Sequence, residues 1–295
     1  MGSVAPSASA RLASPQPPST APLCLCHPSP AGLVAGPAHL GLLTWGAVGQ
    51  SRFMWRARTA RGVIEAFETC WDLQTGGALL VSFDGAALFR PPQLQPGWQT
   101  RPALQWLHVD QGAGKRGMAG VQGQLLLYDQ TPASGGLVLV PRSHRRHAEL
   151  VLEHRCKKDF VSFGPGDARL AGLGDARLIC ARAGDLILWD SRTVHASDPA
   201  DPSSPLPLDD DSRPRLARCA ALITMVPAAP HIAANPALPS RRASLVRRAC
   251  TMTHWPQEAT EATLVSRGVP GPNVFPSVDA LSPHGRALVL GTPRV

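Results

Sequence analysis

The stretch 105-QWLHVDQ-111 sets His108 and Asp110 two apart in an otherwise apolar run. Side chains alternate across a β-strand, so these two residues share one face. One imidazole nitrogen and one carboxylate oxygen at that spacing can grip a single ion. The pattern alone is weak, because ten histidines at this acidity yield roughly one His-x-Asp/Glu match by chance. A second match, His147-Ala148-Glu149, follows the charged run RSHRR (142–146) with no strand before it. It reads as a solvated loop. Whether His108 and Asp110 are a clamp or a coincidence depends on the rest of the chain.

Outward from this stretch lie short β-like runs: ALLVSF (78–83), LQWLH (104–108), QGQLLLYD (122–129), GLVLVP (136–141), ARLICAR (176–182), DLILWD (185–190) and CAALITMV (219–226). Gly, Pro, Asp and Ser separate them, as in an antiparallel sandwich or barrel. Gly184-Asp185 reads as a tight hairpin turn between two of the runs. One helix is expected in TARGVIEAFETCWD (59–72), with Val63, Phe67, Cys70 and Trp71 on one face behind a Thr59 cap. A second helix-like stretch is SRRASLVRRAC (240–250), whose Arg241, Arg242, Arg247 and Arg248 read as surface decoration. The turn-like THWPQ and a Gly/Pro-rich tail follow it. The segment 143–175 is expected to hold a short helix or flap, and 196–214 is too rich in Pro and Asp to pack.

A third ligand must come from a distant strand. His195, five residues past DLILWD, is the best candidate. Two neutral imidazoles and a carboxylate form the facial triad of non-heme Fe(II) oxygenases, with three positions left for a bidentate 2-oxo acid and O2. Such a cosubstrate needs a cation for its far carboxylate, and Arg matches a carboxylate with two parallel hydrogen bonds. Arg218 opens the strand after His195. Arg213 and Arg215 compete with it, but for them exposure or pairing with Asp209 to Asp211 is simpler. Ser197, two residues past His195, could add a hydroxyl contact, and Tyr128 could reach the cosubstrate or simply bond a backbone group.

The 295 residues can bury a sizeable core, and 44% hydrophobic with 17% charged residues suits a soluble globular protein. The net charge of +8 admits polyanionic partners, yet with one tyrosine and most tryptophans in apolar runs a nucleic-acid role is unsupported. Seven cysteines without a C-x-x-C pair indicate neither a disulfide framework nor a zinc ribbon, which points to an intracellular, cytoplasmic setting. The longest uncharged stretch, from residue 31, contains Pro37 and His39 and makes a poor membrane span. Residues 1–38 read as a low-complexity tail, with organelle targeting the competing account. They precede a domain at 39–256 and an extension at 257–295. Oligomeric state is not legible.

Taken in order, GQSRFMWRAR (49–58), LLVSFDG (79–85), WLHVDQ (106–111), LLLYDQTPASGGLVLVPRSH (125–144), AGDLILWDSRTVH (183–195) and RCAALITMVP (218–227) resemble the phytanoyl-CoA dioxygenase-like proteins. The resemblance covers roughly residues 45 to 256. It implies a mainly β fold, the double-stranded β-helix (jelly roll) with flanking helices. It also implies His108, Asp110 and His195 as Fe(II) ligands, Arg218 as the 2-oxoglutarate anchor and Ser197 as a further contact. O2 is then the oxidant, ascorbate a candidate reductant, and succinate and CO2 the coproducts of hydroxylating a small molecule. A non-catalytic binding protein on the same barrel is the alternative. Arg142 stands where the family's Pro-Gly-Ser-His turn has glycine, so His144 reads as a turn residue. The substrate is open. The basic loop Arg142 to Lys158 could touch an anionic group such as a CoA phosphate, and Trp106, Trp189 and Trp255 are either pocket or core.

Overall fold

The computed structural model describes residues 40–152, 159–269 and 271–294. The expected tail at 1–38 lies outside them. In chain order the elements are β1 (Leu42–Leu43), α1 (Arg52–Arg58), α2 (Arg61–Cys70), β2 (Leu79–Val81), β3 (Ala86–Phe89), β4 (Leu107–Val109), β5 (Val121–Leu126), β6 (Gly136–Leu139), α3 (His147–Val151), β7 (Val161–Phe163), β8 (Arg177–Leu178), β9 (Leu186–Asp190), β10 (His195–Asp198), β11 (Arg218–Pro227), α4 (Ala228–Ala234), α5 (Leu238–Arg247), β12 (Cys250–Met252), β13 (Leu264–Arg267) and α6 (Pro283–Leu290).

Two antiparallel sheets carry the fold. The larger runs β1-β3-β11-β5-β9 with β2 also on β11, the smaller runs β7-β4-β10-β6-β8, and β12 and β13 form a separate pair. Along the chain β3, β5, β9 and β11 fall in the larger sheet, and β4, β6 and β10, which lie between them, in the smaller. That alternation is the double-stranded β-helix. It also corrects the expected hairpin. Asp185 N–H donates to Arg182 O at 3.0 Å, so the turn is present. But β8 pairs with β6 and β9 with β5, so the turn passes the chain from one sheet to the other.

The period of two decides what each strand buries. On β5 and β11, Val121, Ala221, Ile223 and Met225 join Met54, Trp55, Val63 and Phe67 in a core between the larger sheet and the helices. Gln122, Gln124, Leu222 and Thr224 turn the other way, into a cavity between the sheets. In the smaller sheet Leu107, Val109, Val138 and Ala196 point to a second core. Gly123 is needed where α2 crosses β5: a Cβ there would lie 2.7 Å from Leu188 Cδ2 and 3.2 Å from Phe67 Cζ.

Several local expectations are corrected. Thr59 closes α1, its Oγ1 donating to Trp55 O at 2.7 Å, and α2 starts after Ala60 without a side-chain cap. The buried face of α2 is Val63, Ile64, Phe67 and Glu68, while Cys70 is exposed. Arg242 is buried, donating to the carbonyls of Val289, Val81 and Leu288, so backbone oxygens take the place of a counter-ion. The residues beyond 257 are more than a Gly/Pro tail. Helix α6 buries Leu288 and Val289 in the helix-side core, and Arg294 pairs with the buried Glu68. His147 is 7% exposed at the start of α3, its Nε2 2.6 Å from Gln111 O, so it is a packing residue and not a solvated one.

Candidate metal centre

Strand register assembles the site. His195 on β10 sits directly opposite His108 on β4, and Asp110 follows on the same face. Ligand atoms of the three residues lie within 4.8 Å of one another. His195 Nε2 is 3.3 Å from Asp110 Oδ2 and His108 Nε2 is 3.7 Å from Oδ1. Each Nδ1 is 2.9 Å from a carbonyl two residues earlier, Trp106 O for His108 and Thr193 O for His195. A carbonyl only accepts, so both rings carry their proton on Nδ1 and present a lone pair at Nε2, the arrangement that orients imidazole ligands.

Electrostatics favour the ligand forms. Burial, then His195, pushes His108 down to about 4 against the pull of Asp110, which keeps the ring neutral. Burial is the largest influence on Asp110 and acts upward. His254, His108 and His195 together outweigh it and hold the carboxyl well below its ordinary range. Gln122 Nε2 donates to Asp110 Oδ2 at 2.6 Å, which fixes the carboxylate. Two neutral imidazoles and one ionised carboxylate, aimed at a common point on an open cavity, fit a divalent ion with free coordination positions. Fe(II) belongs to that class.

Arg218 lies deeper between the sheets, 2% exposed. Its Nη1 donates to Ser197 Oγ at 3.1 Å, its Nη2 to Gln124 Oε1, and its ring contact is Phe89 at 4.9 Å. No carboxylate pairs with it among the described residues, and its Nε–H has no acceptor. Burial pushes the guanidinium down to about 10. A buried cation without a counter-ion is costly, and an anion would offset that cost. The competing arginines are used elsewhere: Arg213 pairs with Asp211, and Arg215 covers the Tyr128 ring at 4.2 Å.

The cavity measures about 670 Å3 and is lined by His108, Asp110, His195, Ser197 and Arg218 together. Tyr128 does not line it. Trp106 stacks on His108 at 5.1 Å, Trp189 lies 5.4 Å from His195, and Trp255 forms another wall. All three tryptophans are thus pocket residues as well as packing residues. Gln111 is a staple, receiving Ser191 Oγ at 2.7 Å and donating to Gly117 O at 2.7 Å. Arg142 holds φ +63°, the conformation for which the family's turn uses glycine. Arg142, Arg145 and Arg146 of the basic loop do not reach the cavity, and residues 153–158 lie outside the described residues. Sequence reasoning missed Asp84, Gln122, Gln124 and His254. Gln122 and Gln124 carried a signal: polar residues in alternation within an otherwise apolar strand.

Residues 85–201, from just before β3 to just after β10, match the family model described as phytanoyl-CoA dioxygenase. Over those residues the chain is similar to the phytanoyl-CoA dioxygenases. A curated relative, Ava biosynthesis cluster protein O of Aspergillus versicolor, is 30% identical over 162 residues, covering 51% of this chain and 50% of the relative. The chain therefore spans about half the length of that relative. Among solved structures it is similar to EctD from S. alaskensis with bound Fe, at 17% identity and TM-score 0.39 over 66% of this chain and 64% of that one. It is also similar to AviO1 from Streptomyces viridochromogenes, at 18% identity and TM-score 0.34, over 57% and 58%. No helix among the described residues is long and apolar enough to cross a membrane.

Proposed function

We propose that the protein is an Fe(II)- and 2-oxoglutarate-dependent dioxygenase that hydroxylates a small organic molecule. The observation that carries this reading is the His195–His108 register pair with Asp110 beside it, lining the same cavity as a buried arginine of the facing sheet that has no carboxylate partner among the described residues. Fe(II) at such a triad supplies O2 activation coupled to oxidative decarboxylation of 2-oxoglutarate, with release of succinate and CO2.

The chain's own residues supply the rest. His108, Asp110 and His195 would hold the ion at the cavity they line. Arg218 and Ser197 bind the far carboxylate of the cosubstrate, and Gln124 fixes the guanidinium from the other side. Gln122 holds the Asp110 carboxylate in place. Trp106, Trp189 and Trp255 limit water around the reacting carbon. The working body extends from about residue 39 through α6, because the C-terminal helix completes the core beneath the larger sheet.

Purified protein given Fe(II) and 2-oxoglutarate without oxygen should show a weak visible charge-transfer band. His108→Ala should remove it. A wild-type protein without the band, under conditions where it stays folded, overturns the reading.

A further inference from the structure

The larger-sheet wall of the cavity, opposite the triad, contains a carboxylate that no side chain hydrogen-bonds among the described residues, although Arg58 and His254 lie within electrostatic reach of it. Asp84, between β2 and β3, lines the cavity, and its Oδ1 accepts the Gly85 N–H at 2.7 Å. Its Oδ2 has no protein partner among the described residues. Arg58, the nearest guanidinium, donates at 2.7 Å to the main-chain oxygen of Asp84 and not to its carboxylate. A half-buried carboxylate held by one backbone N–H keeps acceptor capacity to spare on the cavity side.

A second observation points the same way. Gln122 is 5% exposed and lines the same cavity, and its Nε2 must face Asp110 because a carboxylate only accepts. That leaves Oε1 as a buried acceptor without a donor. Two acceptors without donors thus face one space. The walls around them are the rings of Trp106, Trp189, Trp255 and Phe160. Ring faces attract cations, and a desolvated carboxylate does so more strongly. The other carboxylates at the mouth, Asp159 and Glu258, are already joined to Lys115. Arg218 is the cavity's one arginine, and the proposed function gives it to the cosubstrate.

We propose that Asp84 is the substrate-anchoring residue and that the substrate carries a protonated amine, which this carboxylate and the tryptophan walls receive. The proposal rests on the oxygenase reading for what happens at the iron, but the amine site itself needs no metal. It runs against an acyl-CoA or other polyanionic substrate. Burial pushes the Asp84 carboxyl up in the free protein, despite the opposing influence of His254 and the Gly85 N–H, and a bound ammonium would restore its charge.

The test uses the full chain loaded with Zn(II) and 2-oxoglutarate, and a matched pair of probes, phenethylammonium and 3-phenylpropionate, titrated against tryptophan fluorescence. The ammonium should bind saturably and at least about tenfold more tightly than the carboxylate, the factor expected for one charge-assisted hydrogen bond. Asp84→Asn should weaken the ammonium by about ten- to a hundredfold. Equal affinity of the two probes, or Asp84→Asn without effect on the ammonium, overturns the proposal. Should Asp84→Asn lose its cooperative melt, the wild-type pair decides alone. The Fe(II) charge-transfer band, read in wild type and Asp84→Asn, separates the two readings. A band present without ammonium preference refutes the amine site only, and an Asp84-dependent ammonium preference without a band refutes the iron reading only.

Discussion

Replacing Arg218 with methionine should leave the ligand-free protein about as stable as before while abolishing its response to 2-oxoglutarate. Burial pushes the guanidinium down from its ordinary value to about 10, which amounts to about 3 kcal/mol held against its charged form. Against this stand its hydrogen bonds to Ser197 Oγ and Gln124 Oε1, each worth about 1–2 kcal/mol, and the Phe89 ring contact at about 0.5–1 kcal/mol. The two sides nearly cancel, and methionine refills most of the volume. The cosubstrate is different. Truncating one side of a desolvated charge pair costs about 2–5 kcal/mol, so affinity should fall by at least about thirtyfold. At a 2-oxoglutarate concentration near a hundred times the wild-type Kd, with Mn(II) present, ligand stabilisation is about 2.7 kcal/mol. That corresponds to a rise in Tm of roughly 5–10 °C for a chain of this size. Arg218→Met should show about 2–3 °C or less. Differential scanning fluorimetry with and without the cosubstrate reads both quantities. A variant that keeps the full rise refutes Arg218 as the anchor. One whose ligand-free Tm falls by more than about 10 °C refutes the view that the arginine is held at a cost.

Gly123→Ala should cost about 1–2 kcal/mol in urea unfolding, because the new Cβ meets Leu188 Cδ2 at 2.7 Å and Phe67 Cζ and Ile223 O at 3.2 Å; a neutral result would mean that α2 can lift from the sheet. Arg142→Gly should stabilise by about 0.5–1 kcal/mol in the same assay, since the exposed arginine holds φ +63°, and a loss of stability would show that its side chain has a role unseen in the packing.

Much of the site was legible because a strand writes its faces into the sequence. His108 and Asp110 two apart, and His195 and Ser197 two apart, are same-face pairs whatever the fold, and Arg218 heads an apolar run long enough to be a strand. Arg213 and Arg215 stayed competitors in the sequence, disfavoured by their Pro/Asp loop, and the structure ties them to Asp211 and Tyr128. Register was not legible. Nothing local says that His195 pairs with His108, or that β8 and β9 go to different sheets, because the partner of a strand is set by contacts far along the chain. Tyr128 misled for the same reason: it lies past the end of β5, where the alternation that aims Gln122 and Gln124 at the cavity no longer applies.

Burial of charge was the other thing the sequence hid. Arg58, Arg218 and Arg242 are all essentially inaccessible, and an arginine on a surface helix looks the same in one dimension as an arginine in a core. What distinguishes them is the acceptor. Arg242 and Arg58 are answered by carbonyl oxygens, including those of Val81, Val289, Gly49 and Asp84. Those two lock the helices and the C-terminal segment to the larger sheet. Arg218 is answered by a hydroxyl and an amide, with no backbone carbonyl and no carboxylate among the described residues, a condition that the proposed cosubstrate anion would relieve. Asp84, between β2 and β3 of the same sheet as Arg218, lines the same cavity with one carboxylate oxygen free of side-chain partners among the described residues. The cavity thus holds a cation and a carboxylate besides the triad, and that carboxylate is a residue that no ligand spacing in the sequence singles out.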